Sequence, residues 1–281
     1  MWQKNYDGSP VLYLVPTPIG NMEDMTFRAI NVLKEVEVVF SEDTRVTQKL
    51  LSYYKIHKIL ISLHDHNEDI VKNKVLNYLQ DGKSVAIVTD RGTPIISDPG
   101  YKTVKYVSDK GFRVVGLPGA CAFVPALIMS GIEPQPFTFY GFLDSKIEKA
   151  RKELEQLKFI EHSVIFYEAP HRILKTMNLM LEIFGDRKVS LSREISKKFE
   201  SVYRGRISEL IPTLESIKGE FVIVVEGFKN NNNDDEFGVI EQINFYIENG
   251  MKQMDAIKMV AKERGLKKND VYAEYHKGGT E

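Results

Sequence analysis

Residues 84–100 read SVAIVTDRGTPIISDPG, an apolar run followed directly by a segment dense in glycine, proline and aspartate. The run at 84–89 is short and almost wholly apolar, which is typical of a strand that is buried on both faces of a sheet. The segment after it is rich in turn-forming residues. Such a loop presents backbone N–H and C=O groups in a fixed array, which suits a neutral or zwitterionic small molecule, although two consecutive turns would explain the same residues.

Short apolar runs alternate with helix-like segments on both sides of this strand. The pattern predicts further strands at residues 11–15, 36–40, 59–62 and 112–116, and helices at residues 22–36, 44–54, 68–80 and 103–110. Apolar strands separated by helices indicate a parallel sheet with both faces covered. Residues 1–117 are therefore predicted to form an N-terminal α/β domain. Ligands of open α/β sheets bind at the carboxyl ends of strands, so the loops there are candidate sites.

The Pro/Gly-rich stretch at 117–119 predicts a crossover to a second α/β domain, residues 118–228. The alternation repeats there, with strands predicted at 137–142, 163–167, 188–191 and 220–226 and helices at 120–129, 147–157, 173–184 and 206–214. Four consecutive asparagines mark residues 229–235 as a linker by composition. Residues 236–281 are predicted to form a small helical region of two or three helices.

The composition excludes several classes of protein. The 38 Lys and Arg nearly cancel the 39 Asp and Glu, so a polyanion would have to bind at a local patch. One cysteine, Cys121, excludes a disulfide framework and a Cys-based zinc site within one chain. Residues 1–10 lack the apolar core of a signal peptide, and the apolar runs are far shorter than the ~20 residues of a membrane span. These features predict a cytoplasmic protein with no membrane partner.

The loop after the first strand, residues 16–21, contains two prolines and one glycine. A Rossmann loop requires Gly-x-Gly-x-x-Gly at this place, so that the backbone can approach a pyrophosphate. The loop is therefore predicted to form a rigid wall with few backbone N–H donors, or simply a rigid turn. It is poorly suited to bind a phosphate.

A predicted strand runs straight into three ionisable residues, Glu168, His171 and Arg172. A Glu or His at a strand end is able to act as a general base, and an Arg there is able to hold a phosphate. The alternative is a helix N-terminus that carries surface charges.

Two further strand ends carry arginines. Arg45 follows two residues that suit helix capping, Asp43 and Thr44, and it fits either a phosphate clamp or a surface residue. Arg193 begins the only strongly basic stretch of the second domain, which continues with Lys197, Lys198, Arg204 and Arg206. That stretch fits either a polyanion patch or a solvated face.

The segment His64–Glu68 contains metal-ligand residue types, HDHNE, but no second cluster follows at motif spacing, so no metal site is predicted.

In chain order, seven motifs together resemble one family. They are PTPIGN at 16–21, SEDTR at 41–45, HDHNE at 64–68, DRGTPIISDPG at 90–100, FYGFL at 139–143, FYEAPHR at 166–172 and REI at 193–195. This set is similar to the small-subunit ribosomal RNA methyltransferases of the tetrapyrrole methylase superfamily, the class III S-adenosylmethionine-dependent methyltransferases. The resemblance covers about residues 11–227, and the helical tail also resembles the family's small C-terminal region.

The resemblance implies two α/β domains with S-adenosylmethionine in the cleft between them, a small helical C-terminal region and a homodimer. It also implies 2′-O-methylation of a cytidine ribose in the decoding region of 16S ribosomal RNA, so that the small ribosomal subunit is the partner. By superfamily analogy, cofactor contacts are expected at Ile19, Thr93, Ile96, Gly119, Ala120, Tyr167, Glu194 and Phe221.

A ribose hydroxyl is a poor nucleophile at neutral pH, so a nearby base is expected. Glu168 is the first candidate for this base and His171 the second, while Arg45, Arg172 and Arg193 are expected to hold RNA phosphates.

The chain departs from the family's pattern at two places. Arg91 stands where a small residue is usual, and Ala120 with Cys121 stands where a Pro-Ser pair is common. Arg91 is expected to reach an RNA phosphate or to point to solvent. Two other functions remain open: a tetrapyrrole methyltransferase on the same scaffold, and an RNA-binding or ribosome-assembly module without catalysis.

Overall fold

The computed structural model describes residues 3–5, 7–214, 218–229, 238–248 and 250–277. The described chain falls into two compact units, Met1–Gly227 and Phe228–Glu281. The first unit contains two five-stranded sheets, and the second contains three helices. Within these ranges no helix has the length and apolarity that crossing a membrane requires.

The first half of the larger unit is a strictly alternating α/β arrangement. Its elements are β1 (Val11–Leu14), α1 (Phe27–Glu35), β2 (Val38–Ser41), α2 (Thr44–Tyr53), β3 (Ile59–Ser62), α3 (Glu68–Gln80), β4 (Val85–Val88), α4 (Tyr101–Asp109) and β5 (Arg113–Gly116). All strand pairs are parallel, in the order β3-β2-β4-β1-β5. Apolar side chains fill both faces, with Leu33 and Val39 in one layer and Leu12 and Phe40 in the other. The predicted parallel sheet is confirmed.

The helix predicted at 22–36 is shorter in the structure: Met22–Asp24 form a separate 3-10 turn, and α1 begins at Phe27. Thr26 precedes α1, and its side chain accepts a hydrogen bond from the backbone N–H of Ala29. Asp43 precedes α2 and accepts from the backbone N–H of Arg45. Of the two predicted caps, Asp43 is therefore the N-cap and Thr44 is the first helical residue, because the carboxylate satisfies a free N–H of the first turn.

The second half of the unit carries the other sheet. Its elements are α5 (Phe123–Met129), β6 (Phe137–Phe142), α6 (Ile147–Leu157), β7 (Ser163–Glu168), α7 (Ile173–Phe184), β8 (Lys188–Arg193), β9 (Ser201–Arg206), α8 (Ile207–Leu210) and β10 (Phe221–Val225). The strand order is β6-β7-β10-β8-β9. Only the β6–β7 pair is parallel, since β10 runs antiparallel to both neighbours and β8 pairs antiparallel with β9.

The sequence predicts a second α/β domain but not the directions of its strands, and it predicts no strand in the basic stretch from Arg193 to Arg206. Parallel neighbours need a crossover of about a dozen residues or more. The link at 194–200 is shorter, so β8 and β9 pair antiparallel. β9 lies at the sheet edge, where charged side chains such as Arg204 and Arg206 are tolerated, and its charges hide the strand pattern.

The second unit has a core of its own. Its helices are α9 (Val239–Glu248), α10 (Gln253–Glu263) and α11 (Lys268–Lys277). Ile243, Ile257 and Val260 are fully buried among them. The predicted helical region is confirmed. The predicted linker at 229–235 lies outside the described residues except for Lys229. The predicted domain boundary at 117–118 falls between β5 and α5 and remains a prediction.

Candidate functional site

A cavity of about 560 Å³ lies inside the larger unit and is lined by both of its halves. From the first half come residues that follow β1 and β4, among them Ile19, Thr93 and Asp98. From the second half come the ends of β7 and β8 and the start of β10, among them Tyr167 and Glu194. The carboxyl edges of the two sheets therefore form its walls, which is the usual position of a ligand site in open α/β sheets.

Two backbone hydrogen bonds join the loop after β1 to the loop after β4. Thr17 and Gly92 each donate an N–H to the other's carbonyl, at 2.9 and 3.0 Å. Gly92 has a positive φ of 82°, and a Cβ at this position would lie 3.2 Å from Cγ2 of Ile19. The close contact explains why a glycine stands here. Thr93, next along the loop, donates its hydroxyl to the carbonyl of Ala120 at 3.0 Å.

The structure brings the residues predicted to contact the cofactor into one place. Those that line the cavity are Ile19, Thr93, Ile96, Tyr167, Glu194 and Phe221. Ala120 lies directly behind the wall, where it accepts the hydrogen bond from Thr93. Gly119 packs on the ring of Pro16, since a Cβ on Gly119 would lie 2.6 Å from Cβ of Pro16. The assignment of these residues to cofactor binding remains a prediction.

Glu168 lies at the end of β7, and its carboxylate is buried within the fold. The side chain is 1% exposed. Its oxygens accept hydrogen bonds from the hydroxyl of Thr176 at 2.5 Å and from the backbone N–H of Ala169 at 2.8 Å. Nε of Arg172 lies 3.4 Å away. The carboxylate therefore ties the end of β7 to the start of α7. His171, the other predicted base, is exposed and lies outside the cavity lining.

The three predicted RNA-binding arginines have different surroundings. The side chain of Arg45 is 86% exposed and pairs with Asp43 at 2.6 Å. This pairing holds the pKa of the Asp43 carboxyl down at about 2, with hydrogen bonds from Arg45 as the main cause. Arg172 donates to the carbonyls of Leu143 and Asp144, and Arg193 donates to the carbonyl of Lys218. Arg45 is therefore the most accessible of the three guanidinium groups.

The side chain of Arg91 is 56% exposed, but it is also paired with a carboxylate. Its guanidinium donates to both oxygens of Glu220, at 2.8 and 2.9 Å. Glu220 also accepts from Lys197 at 2.8 Å, and Lys197 in turn bonds Glu194 at 2.9 Å. All four residues line the cavity. A chain of alternating charges thus joins the loop after β4 to the second sheet at the cavity wall.

Two carboxylates of the cavity wall, Asp90 and Asp98, were not among the residues predicted for the site. Both lie in the segment after β4, and their position after a buried strand was the signal that would have found them. Burial raises the pKa of Asp98, and the nearby Asp90 raises it further. Burial likewise raises the pKa of Glu42, with Asp90 and Asp98 adding to the effect. The first sheet therefore ends in a cluster of acidic groups that are poorly solvated.

The remaining wall is mainly apolar, with Ile96, Phe142 and Val222 among its residues. The rings of Phe142 and Tyr167 meet edge to face, 5.5 Å apart. A concave, largely apolar surface with a few polar groups is typical of a small-molecule site. In the described ranges no three His, Cys, Asp or Glu side chains come together as metal ligands would.

This architecture is that of a known class. A family model described as Tetrapyrrole (Corrin/Porphyrin) Methylases matches residues 11–211. A uroporphyrin-III-C-methyltransferase from Thermus thermophilus superimposes with a TM-score of 0.56 at 21% identity, over 77% of this chain and 94% of that chain. A structure of that enzyme in complex with S-adenyl homocysteine superimposes with a TM-score of 0.56 at 17% identity, over 76% and 96%. The fold and the cleft define a tetrapyrrole methylase.

Curated relatives narrow the class. A protein of Bacillus subtilis (strain 168) named ribosomal RNA small subunit methyltransferase I is 48% identical over 274 residues, which is 95% of this chain and 94% of the relative. Proteins of the same name from Halalkalibacterium halodurans and Vibrio cholerae are each 42% identical, the first over 96% of both chains and the second over 80% of both. The chain belongs to the ribosomal RNA small subunit methyltransferase I family.

Proposed function

We propose that this chain transfers a methyl group from S-adenosylmethionine to the 2′-hydroxyl of a cytidine ribose in the decoding region of 16S ribosomal RNA. The observation that carries the proposal is the 48% identity, over nearly the whole chain, to a relative named as a small-subunit ribosomal RNA methyltransferase. The choice of cytidine and of the 2′-oxygen follows from the motifs that resemble this family.

The cavity suits the methyl donor in size and in chemistry. Its volume of about 560 Å³ lies within the range of sites for cofactor-sized molecules. We assign the apolar side chains of Ile19, Ile96 and Phe221 to the apolar parts of the molecule. Thr93 and Glu194 are the polar side chains assigned to its hydrogen-bonding groups. The close approach of Ile19 to Gly92 supports this assignment, because a side chain at Gly92 would disturb the wall.

S-adenosylmethionine supplies a methyl group that is already activated by its sulfonium, so the protein's main task is to position the two reactants. The hydrogen-bonded Thr17–Gly92 pair holds the first wall in place. Glu168 holds the second wall, since its carboxylate joins Ala169 to Thr176. We therefore assign Glu168 to positioning, although its sequence pattern predicts a base. We assign His171 no part in the reaction, because its side chain is exposed and is not among the residues that line the cavity.

RNA would approach a surface that carries Arg45. Its guanidinium is exposed and paired only with Asp43 among the contacts of the described residues, so a phosphate is able to replace that carboxylate. Arg172 and Arg193 donate to backbone carbonyls. We therefore propose that they hold the backbone around the site in place and make secondary contacts to phosphate. A homodimer is part of the proposal because the motifs resemble a family with that assembly. Light scattering of the purified protein would measure it.

The experiment is mass spectrometry of small-subunit RNA from cells with and without the gene for this chain. We expect one ribose-methylated cytidine to be lost in the deletion and to return when the intact gene is supplied. An unchanged methylation pattern would contradict the proposal. Two controls separate the alternatives: methyl transfer to a porphyrinoid without RNA would indicate a tetrapyrrole methyltransferase, and RNA binding without consumption of S-adenosylmethionine would indicate a non-catalytic module.

A further inference from the structure

Five carboxylates line the cavity, and four of them accept a hydrogen bond or form an ion pair in the described part of the chain. Asp90 accepts a backbone N–H from Asp43 at 3.1 Å, and Glu168 is held by Ala169 and Thr176. Glu194 pairs with Lys197, and Glu220 pairs with both Lys197 and Arg91. Asp98 is the fifth. In the described part of the chain it has no ion pair, and its side-chain partner is the hydroxyl of Thr89, which also lies 3.3 Å from Oε2 of Glu42.

The surroundings of Asp98 disfavour its charge. The side chain is half-buried, and burial is the largest cause of its raised pKa. Two acidic groups face it from neighbouring strand ends, Asp90 after β4 and Glu42 after β2. Tyr167 faces it from the second sheet, and the pKa of this phenol is raised as well, mainly by burial, so it stays protonated.

The two cations of the cavity wall do not relieve this repulsion. Arg91 and Lys197 both bind Glu220, and Lys197 also binds Glu194. A proton that arrives at Asp98 therefore removes an unfavourable charge, which is what a general base requires.

The position of Asp98 suits a reaction between two bound molecules. The neighbouring Ser97 places its hydroxyl 3.7 Å from where a Cβ on Gly141 of β6 would stand, so this loop reaches the second sheet. Phe142, the next residue of β6, lines the same cavity and is 53% exposed. An exposed ring at the edge of a cavity offers a stacking surface for an unpaired base.

We propose that the carboxylate of Asp98 is the general base that accepts the proton of the ribose 2′-hydroxyl. This inference rests on the proposed function. The 2′-oxygen attacks the methyl carbon of S-adenosylmethionine, and the new O–C bond forms as the C–S bond breaks. The bonding pair of the C–S bond stays on sulfur, which leaves S-adenosylhomocysteine. The hydroxyl proton passes to Asp98 and then to solvent.

The first test compares the turnover of wild-type protein and Asp98→Asn on small ribosomal subunits. General-base catalysis contributes about 10²–10⁴-fold, so we expect kcat to fall by roughly a hundredfold or more. The dissociation constants for S-adenosylhomocysteine and for RNA should stay within about threefold of wild type, since shape is retained. The matched control is Glu42→Gln, which removes a carboxylate of the same cluster that does not line the cavity.

The pH dependence gives a second result. In wild type, kcat should rise with pH through the raised pKa of Asp98, because the base acts in its ionised form. This limb of the profile should be missing in Asp98→Asn. Asp98→Ala should behave like the Asn variant and should recover part of its turnover when formate, a small carboxylate, is added.

A stability measurement tests the same group without a reaction. A carboxyl whose pKa is raised in the folded state contributes stability at low pH that is lost as pH rises through the folded-state pKa. The melting temperature of Asp98→Asn should therefore match that of wild type in acid and should exceed it increasingly as the pH rises towards neutral. In the control Glu42→Gln, kcat should still rise with pH as it does in wild type.

The outcomes are distinct. Methyl transfer by wild type, with kcat of Asp98→Asn within threefold of it, would overturn the assignment of the base and leave the proposed function standing. The assignment would also be overturned if kcat of Asp98→Asn kept the wild-type pH dependence, or if the difference in melting temperature between Asp98→Asn and wild type did not grow with pH. Wild-type protein that transfers no methyl group to RNA would overturn the proposed function and this inference together.

Discussion

Gly92 shows how a single residue shapes the candidate site. Its φ of 82° lies in the left-handed region, and a Cβ there would meet Ile19 at 3.2 Å. Gly111 has the same φ of 82° but nothing within 4 Å of its Cβ position. Substitution of each glycine by alanine therefore gives the cost of the backbone conformation, and only the substitution at Gly92 adds the cost of crowding the cavity wall.

We expect Gly92→Ala and Gly111→Ala each to lower the free energy of unfolding by about 1–2 kcal/mol, because both force an L-residue into the left-handed region, and we expect a further loss in Gly92→Ala from the contact with Ile19. Only Gly92→Ala should also weaken binding of S-adenosylhomocysteine, by about tenfold, which corresponds to ~1.4 kcal/mol. Calorimetric titration measures this affinity. Equal affinities in the two variants would show that Ile19 is not part of the binding wall.

Arg45 is the residue whose exposure best fits a phosphate contact. We expect Arg45→Ala to raise the dissociation constant for RNA and to reduce the slope of log K against log salt by about 0.7–0.9, because one phosphate contact is lost. The control is Arg151→Ala, since Arg151 is also paired with a carboxylate, Glu182, but lies on α6 outside the cavity lining. A salt slope that stays the same in Arg45→Ala would remove Arg45 from the RNA surface.

At the scale of elements, most helices and strands could be predicted because each depends on its own residues. The periodic apolar positions of α3 and α7 predict helices with the observed limits, Glu68–Gln80 and Ile173–Phe184. β9 could not be predicted in this way, because an edge strand has few buried side chains and its arginines resemble a solvated segment. The direction of β10 depends on pairing with β7 and β8, which local sequence does not encode.

The junction of β7 and α7 provides a test at this scale. We expect Glu168→Gln to lower the free energy of unfolding by about 1.5–3 kcal/mol, because a buried carboxylate loses charged hydrogen bonds to Thr176 and Ala169. Glu182→Gln, on α7, should cost less than about 1 kcal/mol, since the Glu182–Arg151 pair is partly exposed to solvent. Urea denaturation measures both values. Equal losses would contradict the proposed structural role of Glu168.

For the molecule as a whole, five of the seven motifs, although far apart in the sequence, contribute residues to the lining of one cavity: those at 16–21, 90–100, 139–143, 166–172 and 193–195. The sequence predicts this meeting through strand ends, because loops at the carboxyl edge of a sheet lie side by side whatever their spacing along the chain. It does not predict the bond from Arg91 to Glu220, since that contact depends on how the two sheets face one another. Asp98 was not singled out for the same reason: among the described residues it has no ion pair, and this is visible only when its neighbours are in place.

The two compact units lead to a further expectation. All residues that line the cavity precede Gly227, so a chain that ends after this residue should still fold and should bind S-adenosylhomocysteine within about twofold of the intact protein. Calorimetry of the shortened chain measures both properties. Loss of cooperative unfolding, or of binding, would mean that the helical unit is needed for the site.

The central claim is that the cavity between the two sheets binds the methyl donor. A crystal structure of the protein with S-adenosylhomocysteine tests it most directly. We expect the ligand inside the cavity, in contact with Ile19, Thr93 and Tyr167 and with its sulfur on the side of Asp98. Ligand density at another surface, with this cavity still free of it, would contradict the claim.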